Sequence, residues 1–226
     1  MTVYQLYLIG HVVVFGVWFG TDIATFILSR RVLDPSIDVV VRRGLGAAMM
    51  SIEVIARLCL PTMLALGLSL AIDGGLLELS ASWIPVVWVV AVAWVSLIWT
   101  VHRSDGESSM DSRLSLLDLG IRSVICATLY VAGVWSLVSG TGPFLRNSLS
   151  VKVVLFAVIM TCGIIIRFQL RPFAAAFGDL VANGSSPERE SALSASLRRA
   201  QPLVGLIWVS LLAATVLGVT GMLPWE

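Results

Sequence analysis

Apolar residues fall into six runs along the chain: roughly Val3–Leu28, Ile52–Ile72, Trp83–Val101, Leu116–Val138, Leu149–Arg167 and Leu203–Leu223. Each is close to the ~20 helical residues that cross a hydrocarbon core of ~30 Å. None alternates polar and apolar positions as a barrel strand would. Lipid offers the backbone no partner, so helices are the expected form. The intervals are polar or rich in Gly, Ser and Pro: Asp73–Gly75, Ser104–Ser109, Ser139–Pro143 and Asn183–Glu190. Two of the longer intervals have room for short helices. Ile37–Met50 is expected to continue the second helix backwards. Pro187–Arg199 opens on Ser-Pro-Glu and ends on arginines, a helical signature.

Basic residues are unevenly shared. The interval after the first run holds Arg30, Arg31, Arg42 and Arg43. That after the third holds Arg103 and Arg113. That after the fifth holds Arg171, Arg189, Arg198 and Arg199, with Arg167 at its border. The second interval has no Lys or Arg, and the fourth has Arg146 alone. The positive-inside rule places the three basic intervals in the cytoplasm and both termini outside. The expectation is an all-α, multi-pass bundle of three hairpins forming a single domain over residues 1–226, in a bacterial cytoplasmic membrane. Trp83, Trp88, Trp135 and Trp225 fall near the outer ends, as an aromatic belt would.

Composition agrees. Hydrophobic residues make up 58% of the 226 and charged residues 13%, about half the usual share in soluble domains. A net charge of +1 excludes a nucleic-acid partner, which would call for a basic excess. The lipid bilayer is the expected environment. Cys59, Cys126 and Cys162 all sit inside apolar runs and form no CxxC pair, which argues against a disulfide framework or a zinc site.

The informative residues are polar ones within the runs, where burial is costly and function common. His11, Phe15, Trp18 and Asp22 recur at spacings that put them on one helical stripe, which must face the bundle. Glu53 and Arg57, and Asp118 and Arg122, stand four apart with the acid first, the favourable order for an intrahelical pair. Two readings are open: structural clamps between hairpins, or a polar pocket on the inner side lined by Asp22, Glu53, Arg57, Asp118 and Arg122. Such a pocket suits an anionic head group or proton transfer. Lys152 begins the fifth run, where it can snorkel outward or pair with an acidic group. Cys59 and Met63 share a face around Pro61, where a kink is expected. Thiolate and thioether ligands favour copper(I), which makes Cys59 and Met63, together with His11, candidate metal ligands; packing is the alternative.

The run GHVVVFGVWFGTD resembles the opening of small bacterial membrane proteins: the HemJ type of protoporphyrinogen oxidase, the membrane domain of the copper-resistance protein CopD, and relatives. The likeness lies in His11, Trp18 and Gly20. It continues in RLCLPTMLALGLSLA, with Arg57, Pro61 and Gly67, in SLSVKVVLFAVI, with Lys152, and in Pro202. The HemJ type has a further His in the helix matching the fifth, where this chain reads CGIIIRFQ. The third and fourth runs look like an added hairpin. The resemblance implies a four-helix unit able to hold b-type heme. His11 would be a candidate axial ligand, Trp18 would lie nearby, and Arg57 or Lys152 would pair with propionates. Three functions follow: a heme-binding redox protein acting in electron transfer or on a lipophilic substrate, a copper or small-solute permease, or a non-catalytic subunit beside a membrane-protein partner or a second copy.

Overall fold

The computed structural model describes residues 1–104 and 109–221. Among these, seven α-helices follow one another: α1 (Val3–Val32), α2 (Val39–Asp73), α3 (Ile84–Arg103), α4 (Ser109–Ser139), α5 (Asn147–Gln169), α6 (Arg171–Asn183) and α7 (Pro187–Thr220). Six are long and apolar enough to cross a membrane, and each contains one of the six apolar runs or nearly all of it. The protein is an all-α polytopic bundle. Residues 105–108 of the interval after the third run, and Leu223 and Trp225 near the chain end, lie outside the described residues.

Helix ends follow local chemistry. Thr2 caps α1 in a reciprocal box with Gln5. Asp38 accepts from the Val40 amide at 2.7 Å and starts α2. Ser186 accepts from the Arg189 amide at the start of α7. At the far end of α7, Gly221 takes a left-handed φ of 65°, a conformation that glycine adopts without steric cost.

Each membrane helix packs against the next, and α7 returns to α1, so the six form a circuit with α3 and α4 between α2 and α5. Side-chain matches fix the directions. Tyr4 lies against Gly74 and His11 against Gly67; numbering rises on α1 as it falls on α2, so the pair is antiparallel. The same opposition relates α4 to α5, where Gly133 meets Val154 and Cys126 meets Ala157 and Thr161. Small residues at such crossings let backbones approach. The main core is assembled from every membrane helix, with Trp18, Cys59, Met63, Trp94, Cys126, Met160, Cys162 and Ile207 among its buried members. All three cysteines are free and buried.

Two features differ from the sequence expectation. Residues Arg171–Asn183 form a helix of their own, α6, and Pro187–Arg199 is no separate element but the first turns of a continuous α7 that passes through Pro202. Together with the early turns of α2, which do extend back to Val39 as expected, they build a cap beyond the bilayer. At 35 residues α2 is about 50 Å long, against a hydrocarbon core of about 30 Å. The cap has its own core of Val32, Met49, Phe173, Leu180, Leu193 and Leu197. At the opposite end the α2–α3 and α4–α5 connections touch through Leu77 and Phe144, with the Leu145 amide donating to the Leu76 carbonyl at 3.1 Å. The basic intervals therefore share one end of the molecule and the others share the opposite end.

Candidate functional site

The stripe on α1 does turn inward. Trp18 is 4% exposed and meets Phe156 of α5 edge-on at 6.0 Å. One turn further, Asp22 accepts from the indole Nε1 of Trp208 on α7 at 2.9 Å, and that indole is boxed by Phe19 and Phe26. Nothing local to α1 announces Trp208 as the partner of Asp22, because the two are 186 residues apart.

Nearer the other end of the stripe lies His11. Its ring edge packs on α2, where a side-chain carbon built on Gly67 would stand 3.5 Å from Cε1. Its Nδ1 is sealed from solvent with no hydrogen-bond partner among the described residues. Lys152 stands five residues into α5, toward the same end of the bundle as His11. The lysine amine leans across to α7, 3.1 Å from where a carbon on Gly218 would be. Two glycines thus make the room in which the two side chains sit, and four helices (α1, α2, α5 and α7) meet at this level. Met63 lies one turn from Gly67 on the same side of α2 and is buried in the main core. Two shallow surface hollows lie elsewhere, along α4 beside Val131 and Trp135. Among the described residues no three His, Cys, Asp or Glu side chains gather as a metal-holding group.

Toward the basic end the intrahelical pairs form as their spacing predicts: Arg57 Nε reaches Glu53 Oε1 at 2.5 Å, and Arg122 Nε reaches Asp118 at 3.0 Å. The second pair is part of a larger network that sequence reasoning missed. Asp118, 4% exposed, also accepts from Arg167 Nη1 of α5 at 2.8 Å and from the indole of Trp94 on α3 at 3.0 Å. Arg167 is further bonded to Ser115 Oγ at 2.5 Å. The Arg122 guanidinium lies over the Trp94 ring, 5.6 Å from its centroid. Asp118 therefore ties α3, α4 and α5 together, which is the clamp reading. The signal was present: Arg167 is the one charge in the apolar part of α5 at that end, at the depth of Asp118 on the antiparallel neighbour. Of the five residues expected to line one inner pocket, Glu53 pairs with Arg57, Asp118 with Arg122, and Asp22 is held by Trp208; among the described residues no hydrogen bond or ion pair joins these three groups. Glu53 Oε2 is buried without a hydrogen-bond partner among the described residues.

The tryptophans divide. Trp83 and Trp135 are exposed, as belt residues should be. Trp88 instead points at α2 and donates to Ser69 Oγ at 3.1 Å. Trp99 is exposed, with Arg103 above its ring at 4.8 Å and His102 alongside. No protein-family model, curated protein or solved structure matches the chain.

Proposed function

We propose that the chain is a membrane-embedded redox protein that binds b-type heme through His11. The observation that carries this is the sealed Nδ1 of His11, without a hydrogen-bond partner among the described residues in the interior of a helical bundle. Buried polar atoms are nearly always satisfied, so an orphan asks for a reason. An imidazole has one nitrogen for a proton and one for a ligand, and heme iron is commonly held by such a nitrogen. Lys152, the cation toward the same end, suits the carboxylates that a b-type heme carries on its rim. Trp18 and Phe156 supply an apolar wall below. Arg57 lies at the opposite depth, with Glu53, and is not a propionate partner at this level; Lys152 takes that role. The residue fit is thus with the imidazole, the ammonium and the two glycines that admit them.

Heme supplies one-electron chemistry when bound. The protein's share is to hold the imidazole in one orientation against Gly67, to place a positive charge toward the same end and to keep water away with aromatic side chains. Burial and nearby charge are the levers by which a protein sets such a group's potential. The test is an absorption spectrum of detergent-purified protein expressed with ample heme precursor, with metal analysis of the same sample. Wild type should show a Soret band that His11→Ala abolishes, and Lys152→Gln should retain less heme through purification. Protein that folds and carries no heme would overturn the proposal; copper in its place would assign His11 and Met63 to a metal permease.

A further inference from the structure

Helices α1, α3 and α5 run toward the basic end of the molecule, and each finishes in the same way. An aromatic side chain near the helix end carries an arginine over its ring. The Arg30 guanidinium lies 5.8 Å from the Phe26 centroid, that of Arg103 4.8 Å from Trp99, and that of Arg171 4.5 Å from Phe168. The partners are four, four and three residues apart, spacings that bring side chains to one side of a helix. Trp99 is 41% exposed and Phe168 43%, and all three arginines are exposed. The apolar runs end at Leu28, Val101 and Arg167. The rings therefore stand at the boundary of the hydrocarbon and the guanidiniums just outside it. Arg30 and Arg103 are each two residues past their run, about 3 Å along the axis, and Arg171 opens the next helix. That is the level of lipid head groups.

The donors at this level are unspent. None of the three guanidiniums makes a hydrogen bond or an ion pair among the described residues. Acids at the same end are engaged elsewhere: Asp34 by Ser36, Asp38 by the Val40 amide, Asp179 by Arg189 and Asn183, and Glu190 by Arg42. Asp111 and Glu188 sit in the first turns of α4 and α7, where a helix N-terminus favours negative charge. Asp105 and Glu107 lie outside the described residues. A ring beneath a guanidinium occupies its face and leaves its N–H edges free. The ring also holds the side chain in place, so less freedom is lost when those edges bind a ligand.

We propose that Phe26–Arg30, Trp99–Arg103 and Phe168–Arg171 are clasps for the phosphates of anionic phospholipids in the leaflet at the basic end. The ring meets the upper carbons of the acyl chains, and the guanidinium fork takes two phosphate oxygens. A zwitterionic lipid brings a cation along with its phosphate, so the surface selects lipids with net negative charge. Arg43 is a natural contrast. It is exposed and has no ring beneath it among the described residues. It stands nine residues before Ile52, about 13 Å beyond the hydrocarbon along α2, farther than a charge reaches at ordinary salt. The clasps are independent of His11 and of what it binds.

The test uses the full chain, delipidated in a neutral detergent, with native mass spectrometry to follow bound lipid. The probes are phosphatidylglycerol and phosphatidylcholine with the same acyl chains. Phosphatidylglycerol should be retained in preference. Arg30→Gln, Arg103→Gln and Arg171→Gln should each weaken its binding about fivefold, the worth of one arginine near an anionic lipid surface. Arg43→Gln should bind it as the wild type does. Trp99→Leu and Phe168→Leu keep every charge and should still weaken binding about two- to fivefold, because the guanidinium loses its ring. Both replace exposed side chains, so they keep the test available if an arginine variant fails to fold; thermal unfolding without lipid checks each variant. Excess inorganic phosphate should leave the lipid bound. The proposal is overturned if phosphatidylcholine is retained equally, if Arg43→Gln loses as much as the other arginine variants, or if both leucine variants bind as the wild type does. Displacement by inorganic phosphate would overturn it too, by making the ligand a soluble anion.

Discussion

Arg42 is the residue on which the cap closes. Its side chain is wholly buried, its Nε donates to the Val32 carbonyl at 2.7 Å, and its two terminal nitrogens bond the two oxygens of Glu190 at 2.6 and 2.9 Å. One guanidinium thereby links the end of α1, the start of α2 and the start of α7. Removing one member of such a pair strands a buried charge, which costs about 3–5 kcal/mol. Glu190→Ala should lower thermal stability accordingly, and Arg42→Met with Glu190→Leu should cost less than Glu190→Ala alone. A double variant as unstable as the single would defeat that account. The pair also has a pH signature. The hydrogen bonds from Arg42, with help from Ser185, hold the Glu190 carboxyl below the usual glutamate range. A depressed carboxyl contributes its full stability above the unfolded value, about 4.3, and loses it as pH falls through the lower folded value. Wild type should therefore lose more Tm than Glu190→Gln between pH 6 and roughly pH 3. Asp34 and Asp179 are held low by neighbours too, so the difference between the two proteins, not the raw slope, is the measurement.

At the scale of elements, the close crossing of α4 and α5 rests on one glycine. A side-chain carbon on Gly133 would stand 2.7 Å from Val154 Cγ2 and 3.2 Å from the Ser150 carbonyl oxygen. A backbone oxygen cannot swing aside as a side-chain end can. Gly133→Leu should therefore push the helices apart and destabilise the protein by about 1–3 kcal/mol, as overpacking does, whereas Gly163→Leu on α5, with open space around it, should change Tm little. Equal effects would show that the seam is loose. The membrane helices were legible in sequence because the bilayer imposes one length and one polarity on all of them. The intrahelical pairs were legible because helical spacing alone brings their members together. Helix α6 was not: its apolar face is short and is completed only by Gly46 of α2 and the first turns of α7, where Phe177 packs. Charge alone does not set Arg42 apart from Arg43 in the basic interval between the first two runs. Yet Arg42, Gly46 and Met49 recur at helical spacing and are all buried, a stripe that marks the packed face of those early turns. The partners of Asp22 and Asp118 on other helices follow from tertiary packing, which no local pattern contains.

For the whole molecule, the cap and the opposite loops define two unlike ends. One end holds the α1–α2 connection, α6 and the start of α7, locked by Arg42–Glu190 and by Arg189–Asp179 at 2.8 Å. The other holds the α2–α3 and α4–α5 connections, joined through Leu77 and Phe144 and poor in basic residues. A bundle with six spans must show these ends to opposite compartments. The basic excess sets which end stays with the cytoplasm. Single cysteines placed at Ser80 and Thr141 should label in intact cells with a membrane-impermeant maleimide. Those at Ser36 and Ser185 should label only after the membrane is opened. Cys59, Cys126 and Cys162 are buried and should stay silent in the folded protein, so the background is low without replacing them. Labelling of all four positions from outside would break the six-span topology itself. The reverse pattern would keep the bundle and invert it, placing His11 toward the cytoplasm. Orientation therefore decides from which side an electron donor would approach His11 in the proposed heme protein.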